Sequence, residues 1–128
     1  MSYHISKTVD YSFEDAIQRA TDALKTEGFG VLTEIDVKDT LKKKLDADFR
    51  DYRILGACNP EFAHQALQKE DKIGTMLPCN VIVQVNPEGK VEVSAVDPME
   101  SMAAVKNESL GEIASEVRNR LQKVIDSL

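Results

Sequence analysis

The segment from Cys79 to Ala95 constrains this chain more than any other. Cys79, Val81, Val83 and Val85 alternate with Asn80, Ile82 and Gln84, and Val91, Val93 and Ala95 alternate with Glu92 and Ser94. A period of two belongs to a strand with one buried face. Between the runs lies Asn86-Pro87-Glu88-Gly89, where proline presets one backbone angle and glycine allows the unusual ones. Residues 79–97 therefore read as a β-hairpin. A hairpin with one apolar face has to lay it against another layer.

The rest of the chain supplies that layer and more strands. Tyr3–Val9 alternates, with Tyr3, Ile5 and Val9 expected inward. Ser12 opens a helix as its cap, with Asp15 at the reciprocal position and Phe13, Ala16, Ile17, Ala20 and Leu24 on one apolar face. Gly28 is placed to end it in a left-handed conformation. Phe29–Ile35 reads as a strand with Phe29, Val31 and Ile35 inward. Asp36 then caps a short helix carrying Val37, Leu41 and Leu45 on one side. Lys38, Lys42, Lys43 and Lys44 read as its solvated face.

Tyr52–Cys58 is a third strand. Asn59-Pro60 starts a helix, since asparagine caps well and proline suits the first helical position. Phe62, Ala63, Ala66 and Leu67 form its buried face. Asp97-Pro98 caps a short turn holding Met99 and Met102. Ser109-Leu110-Gly111-Glu112 reads as a capping box before a long amphipathic helix with Ile113, Val117, Leu121 and Val124 on one stripe. The predicted architecture is a single α+β domain over residues 1–128. It has two layers: a mixed, mostly antiparallel curved sheet of about five strands in the order βαβ(α)βαββα, with helices on one face.

Composition narrows the function classes. Sixteen basic residues against twenty-two acidic ones leave a net charge of −6, which argues against a nucleic-acid footprint. No run approaches the roughly 20 apolar residues of a membrane span, and the N-terminus does not resemble a secretory signal. Two cysteines are too few for a disulfide framework, so the expected compartment is the cytoplasm. No Cys-x-x-Cys occurs and there are two histidines, so no metal site is expected, and no cofactor is identified. Phosphate-loop, nucleophile-elbow and dinucleotide-binding signatures are also missing from the sequence.

Several segments in order carry a resemblance. They are Gly28-Phe29-Gly30-Val31-Leu32-Thr33-Glu34-Ile35-Asp36, Ile54-Leu55-Gly56-Ala57-Cys58-Asn59-Pro60, Leu77-Pro78-Cys79-Asn80-Val81-Ile82-Val83, and Asp97-Pro98. Together they resemble the DUF302 family, from about Lys7 to the last helix. The resemblance implies a compact fold similar to the TATA-binding-protein-like class and a bacterial or archaeal cytosolic protein, often a homodimer. It implies no established activity, and fold likeness to a DNA-binding protein does not transfer function.

Cys58 is the most interesting candidate. It precedes the cap Asn59, and a helix N-terminus favours a thiolate. The plainer reading is a small buried hydrophobe. Cys79 shares the phase of Val81 and Val83, which reads as core, yet it could meet Cys58 in a two-thiol site for a sulfur species, a soft metal or a redox couple. The dipeptide Cys-Asn recurs at 58–59 and 79–80, which brings Asn59 and Asn80 into the candidate ligand site. Glu34 and Asp36 share a strand face with Leu32 and could line a pocket, with Asp36 also a helix cap. Thr33 on the other face could bond within the core. His4 and His64 read as exposed. A helical metal-binding pair would need a second histidine at position 68, which is Gln68. The favoured reading is a homodimeric binding module for a small molecule or sulfur species. The alternatives are a cysteine-dependent redox or thiol-transfer enzyme using Cys58, and a purely structural or interaction protein.

Overall fold

The alternating segments pair with one another, and the amphipathic helices cover one side of the result. The computed structural model describes residues 2–128. The elements follow as β1 (His4–Val9), α1 (Phe13–Thr26), β2 (Gly30–Asp36), α2 (Val37–Leu45), β3 (Tyr52–Cys58), α3 (Pro60–Lys69), β4 (Cys79–Val85), β5 (Val91–Val96), α4 (Pro98–Ser101) and α5 (Gly111–Asp126). Short 3-10 turns lie at Ile73–Met76, Ala103–Val105 and Glu108–Leu110. The strand order is β1-β5-β4-β3-β2, and each neighbouring pair is antiparallel. The β4–β5 hairpin is therefore the centre of an α+β sheet, and α2 and α3 each connect strands that lie side by side.

The core follows the predicted phases. Leu55, Val81, Val83, Val93 and Ala95 of the sheet are fully buried, as are Leu24 of α1 and Leu121 of α5. Each such Leu or Val contributes about 1.5–3 kcal/mol by leaving water. The opposite face of the sheet carries Tyr52, Ile54, Ile82 and Gln84, half-buried without a second layer above them.

Four apolar residues differ from the expected pattern. Tyr3 lies just before β1 and is 71% exposed, its ring set edge-on to His4. Ile35 is 46% exposed because the β2–β3 register shifts between Val31 and Thr33. One extra residue in a strand turns the following side chains to the other face. Leu45 and Leu67 are exposed too: no residue of α2 is fully buried, and in α3 only Ala66 is.

Most caps form as read. Ser12 Oγ accepts from Asp15 N–H (3.1 Å), Asp36 Oδ1 from Asp39 N–H (2.9 Å) and Asp97 Oδ1 from Met99 N–H (3.0 Å). Asp15 does not reach back to Ser12; its carboxylate takes Arg19 at 3.1 Å. A reciprocal cap is made by glutamate or glutamine, and aspartate is one methylene shorter. The Ser109–Glu112 capping box is replaced by an earlier cap. Asn107 Oδ1 accepts from the Ser109 amide (3.1 Å) and hydroxyl (2.6 Å), and its Nδ2 donates to Lys69 O (3.1 Å). That anchoring to α3 fixes Asn107 as the start of the turn leading into α5.

Candidate functional site

The site grows from the place where β3 leaves the sheet and β4 enters it. Ala57 stands opposite Cys79 in the register. Cys58 is one residue past that pair, and Asn59 then turns the chain into α3. Asn59 is buried; its Oδ1 accepts from Phe62 N–H (3.5 Å) and its Nδ2 donates to Glu27 O (3.4 Å). One side chain thus ties the start of α3 to the end of α1. Arg120 of α5 joins the knot, donating to Glu27 O (3.2 Å) with its guanidinium 5.0 Å from the centre of the Phe62 ring. Gly28 makes this approach possible. Its φ is +85°, and a Cβ there would lie 3.0 Å from Asn59 Nδ2. Glycine meets both demands without strain.

Behind this knot is a cavity of about 30 Å³, bordered by Cys58, Asn59, Phe62, Ala66, Cys79 and Met102, with α5 closing the far wall. The space is large enough for one water, but a buried water needs two to four polar partners. Asn59 is the sole lining residue with an amide side chain, and its groups are already committed. The lining is almost wholly apolar, so the cavity is suited to uncharged, polarisable atoms.

Electrostatics at the two sulfurs point the same way. Burial pushes the Cys79 thiol up to about 11, and the nearby Cys58 adds to the shift as a like charge. That coupling places the two sulfurs within electrostatic reach. Burial also raises Cys58 from the ordinary value of 9.0. Both are therefore thiols at neutral pH, a direction that opposes the helix-activated thiolate expected at Cys58. The nucleophilic form of cysteine is the thiolate.

The histidines do not supply a base here. His4 Nδ1 is engaged with Ser6 Oγ at 2.7 Å on β1. Three strand spacings, or about 14 Å, separate β1 from β3. His64 is exposed on α3 and is not among the residues that line the cavity. Among the described residues no group of three or more His, Cys, Asp or Glu is arranged to hold a metal ion.

The other three candidates lie apart from the cavity. Asn80 has the opposite phase to Cys79 and borders a depression on the open sheet face with Ile82 and Gln84. Thr33 does not bond within the core. Its Oγ1 fills the space above Gly56, where a Cβ would meet it at 2.2 Å and Pro78 Cγ at 2.9 Å. Glu34 is paired with Arg53 (2.6 Å), which also reaches Asp36 (3.4 Å) and Glu14 (3.5 Å).

Two features escaped the sequence reading. Met102 and the α5 residues Ile113, Ala114 and Val117 wall the cavity from a distant part of the chain, which no local pattern marks. The Arg53 cluster did leave a signal. Arg53 occupies the same phase as Leu55 and Ala57, and a charge on a buried phase calls for partners.

The comparisons with known proteins agree on the family. The model of the domain of unknown function DUF302 matches residues 5–128. A solved structure, the crystal structure of an uncharacterized conserved protein DUF302 from Bacillus stearothermophilus, is 30% identical. The likeness covers 98% of each chain with a TM-score of 0.92. No curated protein matches.

Proposed function

The chain belongs to the DUF302 family, and from that premise we propose that it is a small-ligand binding module, homodimeric and cytoplasmic. Its site is the cavity beside Cys58 and Cys79, and its ligand is an uncharged small molecule or a sulfur species. The observation that carries this reading is that the chain's two free cysteines border one apolar cavity. Protonated thiols in a dry setting are soft, neutral contacts.

The dimer rests on the open sheet face. Tyr52, Ile54 and Ile82 stand there beside Asn80 and Thr33, and a second copy laid on this face would supply the missing layer. The cytoplasmic assignment rests on the two free thiols. No helix among the described residues is long and apolar enough to cross a membrane.

A second reading, a redox or thiol-transfer enzyme using Cys58, is favoured by one fact: Cys58 is only half-buried, at the foot of α3. The raised thiol pKa and the absence of a neighbouring imidazole weigh against it.

Native mass spectrometry of protein purified without reductant or chelator tests these readings together. The expected spectrum is a dimer carrying a small adduct or an extra sulfur, lost in the Cys58→Ala/Cys79→Ala double variant. A bare monomer with both thiols unmodified would overturn the proposal.

A further inference from the structure

The thiol-lined cavity is closed on two sides by very different walls. One wall is Met102. With Ala114 it borders both the cavity and an open groove of about 330 Å³ lined by Met99, Ala103, Lys106, Asn107, Glu108 and Gly111; of the two shared residues only Met102 has a side chain that can turn. The other wall is Leu77–Pro78, beyond which a second depression also touches Cys79. Either wall could be the way in.

The two walls differ in how firmly they are held. Pro78 is packed against the sheet, since its Cγ lies within 2.9 Å of where a Gly56 Cβ would stand. The Leu77 amide is bonded to Gly74 O (3.3 Å). Met102 sits between two short helical turns, with Lys106 in a left-handed conformation (φ 56°) just beyond. Its neighbour Met99 is 43% exposed. An unbranched thioether with three rotatable bonds changes rotamer without moving the backbone. Asp97, paired with Arg118 at 3.0 Å, and Asn107 anchor the segment at its two ends, and the Met102 backbone is bonded to Pro98 O (3.0 Å) and Val105 N–H (3.1 Å), so it is the Met102 side chain alone that turns.

We propose that Met102 is the door of the thiol-lined cavity. With the door swung aside, cavity and groove join into a single site of the size that small-molecule pockets have, roughly 300–1,000 Å³. The occupant is an uncharged apolar molecule, its inner end against Cys79 and its outer end between Met99 and Gly111. This inference rests on the binding-module reading and adds to it the route and the shape of the ligand.

Modification of the full chain by a small uncharged thiosulfonate, whose S–S bond the thiolate breaks to form a mixed disulfide and release a sulfinate, tests the door when read at each cysteine by peptide mass. In Met102→Ala the Cys79 rate rises on the order of 10-fold, equivalent to ~1.4 kcal/mol of opening free energy. In Leu77→Ala it stays within about 2-fold once global opening is subtracted. Global unfolding is separated by repeating the rates in low urea, because only reaction through the unfolded state carries the full denaturant slope. Met102→Leu, which nearly keeps the volume but is branched and stiffer, should leave the fold intact and bring the rate below the parent's.

A Cys79 rate that is unchanged in Met102→Ala, or one that responds only to Leu77→Ala, overturns the door whatever ligand is bound. The opposite failure is distinct. A faster Cys79 rate together with a native spectrum free of any adduct keeps the door and sinks the binding-module reading. Benzene is the direct probe of the joined site: it should perturb the methyl signals of Ala66 and Ala114 in Met102→Ala, and no perturbation would overturn the joined site.

Discussion

The two ends of β3 solve the same problem in opposite ways. Each end must close the sheet beneath the helices. At the first end Arg53 does it with charge, gathering Glu34, Asp36 and Glu14 around one guanidinium. Burial works to lower its pKa, yet the hydrogen bond it donates to Glu34 and the charges of Asp36 and Glu14 hold it above the ordinary value. At the other end Cys58 and Cys79 do it with neutral atoms, and a void is left between them and the helices. The charged end is crowded with partners and only Arg53 Nε goes without one. The thiol end keeps its polar groups, Asn59 and Arg120, bound to the Glu27 carbonyl outside the void and leaves room within. Room without polar partners is what a small ligand needs and what an unoccupied core avoids.

Gly56 lies between the two ends, and its replacement should break both. A Cβ would stand 2.2 Å from Thr33 Oγ1 and 2.9 Å from Pro78 Cγ, so β2 or β4 must shift. Gly56→Ala is expected to cost about 3 kcal/mol, the upper end for overpacking. Adding Thr33→Ala should recover part of it, because the nearer obstacle is removed. A urea midpoint indistinguishable from the parent would show that the sheet yields there freely.

The next largest effect separates the ends by pH. Cys79 goes from an ordinary 9.0 to about 11 on folding, so the folded state holds its proton more tightly. The stability tied to that proton is complete below pH 9 and is lost as pH rises through the folded value near 11. The loss over that window is about 2 kcal/mol, and Cys79→Ala should abolish it. Arg53, also raised, stays charged in both the folded and the unfolded state across this window, so that end stays flat. Urea unfolding at pH 8 and pH 10.5 measures both; a slope that persists in Cys79→Ala would assign it to another group.

Salt separates them in the reverse sense. Arg53→Met removes the guanidinium, whose carbon lies 5.6 Å from the centre of the Phe13 ring, and leaves three carboxylates without their shared cation, at a cost of about 1 kcal/mol. Because those carboxylates are largely exposed, added salt should restore part of the loss. Cys79→Ala should show no such recovery. Equal salt responses in the two variants would mean that the Arg53 end is held by packing rather than charge.

How legible these ends were from the sequence follows from how local their causes are. The hairpin and the caps at Ser12, Asp36, Asn59 and Asp97 depend on neighbours within a few residues, and pattern alone located them. The phase of Ile35 depends on a bulge that only pairing with β3 reveals. The start of α5 was misplaced at Ser109 because Asn107 is fixed by α3, some forty residues earlier. For the site, Cys58, Asn59 and Cys79 meet because β3 and β4 are antiparallel neighbours, β3 ending at one cysteine and β4 beginning at the other. Asn80 and Thr33 fall on the other face of the sheet, a consequence of alternation and of the bulge. Met102 carried no signal, since its relation to the cysteines exists only once the chain has closed.

The smallest effect bears on which kind of protein the thiol end makes. Cys58 is half-buried and its pKa is raised by desolvation alone, with no opposing cation or imidazole among the causes. Its alkylation by iodoacetamide should therefore climb with pH and reach its midpoint above the ordinary 9.0. Cys58→Ser should barely move stability, since a partly exposed thiol contributes little burial. A midpoint below the ordinary value would mean that the amides at the start of α3 outweigh desolvation. Cys58 would then be a thiolate at neutral pH, and the thiol-transfer reading would displace the binding module. A midpoint above it leaves both ends of β3 as the comparison describes them: one holding charge by surrounding it, the other keeping charge out of its void.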